Sequence, residues 1–272
     1  MNVSNGVGST SIPGSGPAPF DVRAFARTAH GSLRDALDPR AVAAAGLSHD
    51  AVRTITTLAA LEGATMTHLR NVLVTPTHKD ARVTAFLVSW AYEKYWIADA
   101  LRQVAVAAGG SEAAADPGRR GRGRGPIRRA IAGFGQGWDV IGAHLALGYV
   151  DDLLLDLAYA RLATAAGGGA NPDLADLVER IRAIKARHDA FLAGEAGQRL
   201  AGSPRAARLA RRELARAAWP LGSAAIPAED RRAFARFALD GDGVESRLAR
   251  DIRRLPGIDE RTAATIISRF AG

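Results

Sequence analysis

Apolar residues recur every three to four positions over most of the chain between residues 48 and 200, the spacing that stacks side chains on one face of a helix. Ser48 is placed as an N-cap ahead of Ile55, Leu58, Ala59, Met66, Leu69 and Leu73. This predicts a first long helix over roughly 48–74, ended before Pro76. Val83, Phe86, Trp90, Ile97, Leu101 and Val104 predict a second over roughly 79–108, stopped by Gly109 and Gly110. Trp138, Ile141, Leu145, Tyr149, Leu155, Tyr159 and Leu162 predict a third over roughly 127–166, with a break near Gly133, Gly135 and Gly137 and an end at the glycines of 167–169. Leu174, Leu177, Ile181, Ile184, Phe191 and Leu192 predict a fourth over roughly 172–200.

The links between these helices differ in length. Helices one and two are closely joined, as are three and four, while a Gly- and Arg-rich stretch at 109–126 separates the pairs. Two antiparallel hairpins joined by a long crossover is a standard topology for a four-helix bundle. Residues 1–19 are rich in Gly, Ser and Pro and are expected to be a disordered tail. A short helix is expected over 20–36, which begins a helical unit spanning 20–200. Shorter helices near 204–218, 227–239, 243–254 and 259–270 would form a C-terminal extension, 201–272, packed on the bundle.

Ionisable residues interrupt each of the four apolar stripes. Glu62 lies between Leu58 and Met66, Glu93 between Trp90 and Ile97, and Asp152 between Tyr149 and Leu155, with Asp156 one turn on. Lys185 and His188 lie between Ile181 and Phe191. A buried charge is costly unless it is paired or bound to metal, so four such helices imply one shared polar site. Glu62 and Glu93 are 93 − 62 = 31 residues apart, and Asp152 and Lys185 are 185 − 152 = 33 apart, as a duplicated hairpin would place them. Di-iron and di-manganese carboxylate bundles carry one Glu on each of two helices and a Glu-x-x-His pair on each of the other two.

On these residues the chain resembles the ferritin-like superfamily over roughly 50–200. IKARHDAF at 184–191 is similar to the family's fourth-helix motif through Arg187, His188 and Phe191. GYVDDLLLDLAYARLA at 148–163 is similar to its third helix, and AYEKYW at 91–96 to its second-helix Glu-x-x-His. The resemblance implies an all-α, ferritin-like four-helix bundle with Glu62, Glu93, Asp152 and His188 at metal-ligand positions. It also implies two site-altering departures, because Trp96 falls where the family has a histidine and Lys185 where it has a glutamate. The function implied is that of a ferritin-like protein with a remnant di-metal site. Such a protein would be a non-catalytic binding or scaffolding member related to oxidoreductases, with either no cofactor or iron or manganese, and with a lipophilic small molecule as candidate partner. A dimer is compatible with this reading, and the sequence leaves the oligomeric state open.

Composition narrows the chemistry further. The chain contains no cysteine, which excludes disulfides, thiolate metal sites and cysteine nucleophiles and fits a cytoplasmic protein. No apolar run reaches the length of a membrane span, and no signal peptide is expected. Arginine greatly outnumbers lysine, and the net charge of +8 admits a polyanionic partner. Arg119, Arg120, Arg122 and Arg124 cluster in the crossover as candidate phosphate-binding residues. LPGIDERTAATII at 255–267 resembles a helix-hairpin-helix turn through Leu255, Gly257, Ile258, Thr262, Ala263 and Ile267, with Asp259 replacing its second glycine. These two segments supply the alternative function, weak and non-specific binding of nucleic acid.

Overall fold

The structure, a computed structural model, describes residues 20–34, 37–110, 137–167 and 169–272, and all regular structure among them is helical. In chain order the helices are α1 (Val22–Arg27), α2 (Pro39–Ala44), α3 (His49–Gly63), α4 (Thr65–Leu73), α5 (Ala81–Ala107), α6 (Asp139–Ala166), α7 (Pro172–Gly202), α8 (Pro204–Arg216), α9 (Ala228–Leu239), α10 (Val244–Ile252) and α11 (Glu260–Ala271). Short polar side chains set the starts of α3, α5 and α7, while α6 begins after Trp138 with no side-chain cap. Ser48, Asp80 and Asn171 accept hydrogen bonds from the backbone N–H groups of Ala51, Val83 and Leu174, and Pro172 follows its cap directly.

α3 packs against α5, and α6 against α7. Both pairs run antiparallel. Gly63 approaches Ala98 while Gly110 approaches Thr56, and Asp156 pairs with Arg182 while Gly142 approaches Arg199. The two hairpins face each other across one apolar core that extends into the C-terminal helices. α8 and α9 pack on α6, and α9 also packs on α3, so α6 has neighbours on several faces and buries most of its residues. No helix among the described residues is long and apolar enough to cross a membrane.

The expected first helix is two helices. Its 48–74 run breaks at Ala64, and the C-terminal segment presses on that break. Gly222, in the left-handed region at φ 88°, comes so close that a Cβ there would lie 2.5 Å from Ala64 Cβ. The change of axis leaves Met66, placed by the periodicity in the apolar stripe, exposed, while Leu69 stays buried. Trp138, also assigned to a stripe, precedes the first turn of α6 and is 58% exposed. The helix expected over 20–36 stops at Arg27, and the chain that follows lies against the middle of α5, where the His30 N–H meets Glu93. The expected N-terminal tail, the break near Gly133 and Gly135, and Arg119, Arg120, Arg122 and Arg124 lie outside the described residues.

Candidate functional site

Glu62, Glu93, Asp152, Lys185 and His188 all turn inward from α3, α5, α6 and α7 and are fully buried or nearly so. They are brought together with a further cation, Lys94, that periodicity did not single out. Lys94 Nζ lies 2.9 Å from Glu62 Oε2, 2.9 Å from Asp152 Oδ1 and 3.7 Å from Asp151 Oδ2. Lys185 Nζ lies 2.5 Å from Asp152 Oδ1 and 3.2 Å from Glu62 Oε1. Each of the two carboxylates therefore bridges both ammonium groups. Tyr159 donates its hydroxyl to Glu62 Oε1 at 3.0 Å, and Trp90 donates its indole N–H to Asp152 Oδ2 at 3.4 Å.

A second group adjoins this cluster. His188 Nε2 is 2.7 Å from Glu93 Oε2. An ionised carboxylate can only accept, so Nε2 carries the proton and donates. Nδ1 then holds the lone pair, and it has no hydrogen-bond partner. The other oxygen of Glu93 accepts from the His30 backbone N–H at 2.7 Å, lies 3.0 Å from His30 Nδ1, and is 3.7 Å from Arg187 Nη1. His30 is 47% exposed in its side chain, so the network reaches the surface at this end. His188 Nδ1 lies 3.9 Å from Asp152 Oδ2, so the two groups adjoin with no hydrogen bond between those atoms.

The electrostatics follow from burial set against pairing. Burial alone would raise the Glu62 and Asp152 carboxyls, but the Lys185 and Lys94 ammoniums overcome it and hold both below their ordinary values. Burial would lower the two lysines, but Asp152 and Glu62 hold both above the ordinary lysine value. Two cations thus meet two depressed carboxylates. Asp151 is pushed up to about 6 by burial, against the pull of Lys94. Burial keeps His188 neutral despite its bond to Glu93, and holds the Tyr159 hydroxyl protonated well above its usual range. His68 is lowered to about 4 by burial and by the Lys94 ammonium. Both lysines remain protonated, so neither has the lone pair that a Schiff-base or general-base role requires.

Of the other residues singled out in the sequence, Asp156 turns away and pairs with Arg182 at 2.8 Å. Trp96 sits beside Tyr92 and Tyr95, with ring centroids 6.2 and 5.2 Å away, and its indole nitrogen has no hydrogen-bond partner. The residues that sequence reasoning missed are Lys94, Asp151 and His30. Composition did carry one signal for Lys94. The chain has only three lysines, Lys79, Lys94 and Lys185, among 36 basic residues, and two of those three lie in this cluster. An ammonium is a compact point charge that can sit between two carboxylates, where the planar guanidinium used on the rest of the chain is larger and forked.

A di-iron or di-manganese pair does not fit this donor set. Oxygens of Glu62 and Asp152, two of the carboxylates such a site would use, are already shared by two ammonium nitrogens, and one of these belongs to Lys185, where the resemblance places a glutamate. Among the described residues no group of three or more His, Asp or Glu side chains is placed to hold a metal ion. Comparison of the chain with family models, with curated proteins and with solved structures finds no match.

Proposed function

We propose that the chain is a ferritin-like bundle in which two lysine ammoniums stand where a carboxylate-bridged metal pair would stand, and that it serves as a non-catalytic binding or scaffolding protein. One observation carries this reading: Lys94 and Lys185 are both bridged by Glu62 and Asp152 with no exposure to solvent to speak of. The internal cations hold the carboxylates together as metal ions would, without depending on metal supply. In this reading the paired charges serve to fix the register of the helices that carry them, since a buried ion pair adds little net stability over apolar packing. A lipophilic ligand, if bound, takes a surface site in this reading, because the centre of the helices is filled by charge and aromatic rings.

Elemental analysis of protein expressed in iron- and manganese-replete medium tests the reading. The expected result is far less than one metal ion per chain, with a melting temperature unmoved by added iron, manganese or chelator. One or more tightly held ions per chain, with a melting temperature that rises on loading, would contradict it.

A further inference from the structure

The C-terminal helices carry a charge that the buried cluster does not use. Residues 201–272 hold fourteen arginines and no lysine against nine acidic residues, or +5 of the chain's +8. α8 alone, PRAARLARRELAR, has five arginines and one glutamate. Its buried face is Ala206, Ala207, Leu209, Ala210 and Leu214. Arg208, Arg212 and Arg216 are exposed, at intervals of four residues along the outer face. Beside them lies a surface groove of about 410 Å³ between α8 and the start of α11, lined by Arg208, Arg211, Arg212 and Arg261 together with Asp259 and Thr265.

This groove is held in place from both sides. Arg211 Nη1 donates to Gly257 O at 2.8 Å, and Arg269 Nε donates to Ala215 O at 3.0 Å. Gly257, in the left-handed region at φ 76°, lets the turn approach so closely that a Cβ would lie 2.8 Å from Ala207 Cβ. The turn is the one whose sequence resembles a helix-hairpin-helix, but its amide end is already taken. Asp259 accepts from Thr262 N–H at 2.8 Å and from its hydroxyl at 2.6 Å. The guanidiniums, not the helix N-terminus, are what the groove offers. Among the described residues Arg208, Arg216 and Arg261 make no ion pair, and Arg212 meets only its neighbour Glu213.

We propose that this groove binds the phosphodiester backbone of duplex nucleic acid. The outer face of α8 from Arg208 to Arg216 spans about 12 Å, and a duplex presents one charge per roughly 3.4 Å along each strand, so several phosphates lie within its reach. Guanidinium forks match phosphate oxygens in geometry. Insertion into a membrane surface would need apolar residues beside the charges. Among the described residues the exposed large apolar ones, Met66, Val74, Val88, Tyr92, Tyr95, Val106 and Trp138, all lie outside α8 and α11. No element of the groove is placed to read base edges, so binding is independent of sequence.

Fluorescence anisotropy with the whole chain and a random 20-base-pair DNA duplex tests this. The expected salt dependence has a log–log slope of about −3, so that affinity falls on the order of 60-fold from 50 to 200 mM salt. Arg208→Glu, Arg212→Glu and Arg261→Glu together should abolish binding while the circular-dichroism melt stays that of the parent. Should the triple variant melt earlier, Arg208→Gln alone decides, with an expected slope shallower by about one. Replacing Arg119, Arg120, Arg122 and Arg124 by Ser should leave the groove's binding in place. The proposal is overturned if the duplex does not bind at 50 mM salt, if the groove variants bind as the parent does, if the crossover variant alone removes binding, or if anionic phospholipid vesicles bind and the duplex does not.

Discussion

Lys185→Ala would leave Glu62 and Asp152 facing each other with Lys94 as the only adjacent ammonium. The expected loss is about 3–5 kcal/mol in urea titration, the range for an uncompensated buried charge. Lys94→Ala should cost as much. Lys185→Arg should not restore stability, because a forked guanidinium does not fit where one tetrahedral nitrogen meets both carboxylates. Parent-like stability of Lys185→Ala would place that side chain outside the core. Asp189, next to His188, carries a different expectation. Burial and the neighbouring Asp152 and Asp156 push its carboxyl up to about 7, against the pull of Lys185 and Lys94. A carboxyl raised on folding favours the folded state below its unfolded value near 4, and that contribution is lost as pH rises toward 7. Asp189→Asn should therefore lessen the fall in stability between pH 4 and 7, part of which Asp151 retains, and add on the order of 1–2 kcal/mol at pH 8, allowing for the solvent that reaches this partly exposed group. Glu62 and Asp152 have the opposite sign, stabilising above pH 4 and losing that contribution as pH falls below it. Urea titrations of parent and Asp189→Asn at pH 5 and 8 separate the two, and an unchanged profile would place Asp189 in solvent.

At the scale of elements, helical periodicity made four inward positions legible, and Glu62, Glu93, Asp152 and His188 do meet. Lys94 and Asp151 were not legible by that logic, because a single stripe assigns one inward position per turn. α5 packs against α1, α2, α3, α4 and α7, and α6 against α7, α8 and α9. Both helices bury a wide arc, so adjacent residues such as Glu93 and Lys94, or Asp151 and Asp152, can both lie inside. His30 acts in part through its backbone N–H in a segment without regular structure, for which side-chain pattern has no signal. The break of the first helix falls at Ala64, where Gly222, about 160 positions away, comes close, and its one local signal is Gly63, which the apolar periodicity runs straight through. Gly222→Ala would add a Cβ at a left-handed φ and within contact of Ala64, so an expected loss of about 1–3 kcal/mol should appear as a lower melting temperature. A neutral result would mean that the C-terminal segment does not press on that break.

For the whole molecule, the cluster ties together parts far apart in the chain. Asp151 accepts from the Leu221 backbone N–H at 2.7 Å, linking the buried charges to the segment before α9, and the N-terminal segment reaches them through His30. Two of the three lysines, Lys94 and Lys185, lie inside, while arginine supplies nearly all the other basic charge. That division permits a direct measurement. Lys79 is exposed, whereas Lys94 and Lys185 are sealed and protonated. Timed labelling of the native protein with an amine-reactive reagent, read by peptide mass spectrometry, should modify Lys79 rapidly and leave Lys94 and Lys185 unmodified until denaturant is added. Labelling of Lys94 or Lys185 in the native state at the rate of Lys79 would contradict the account.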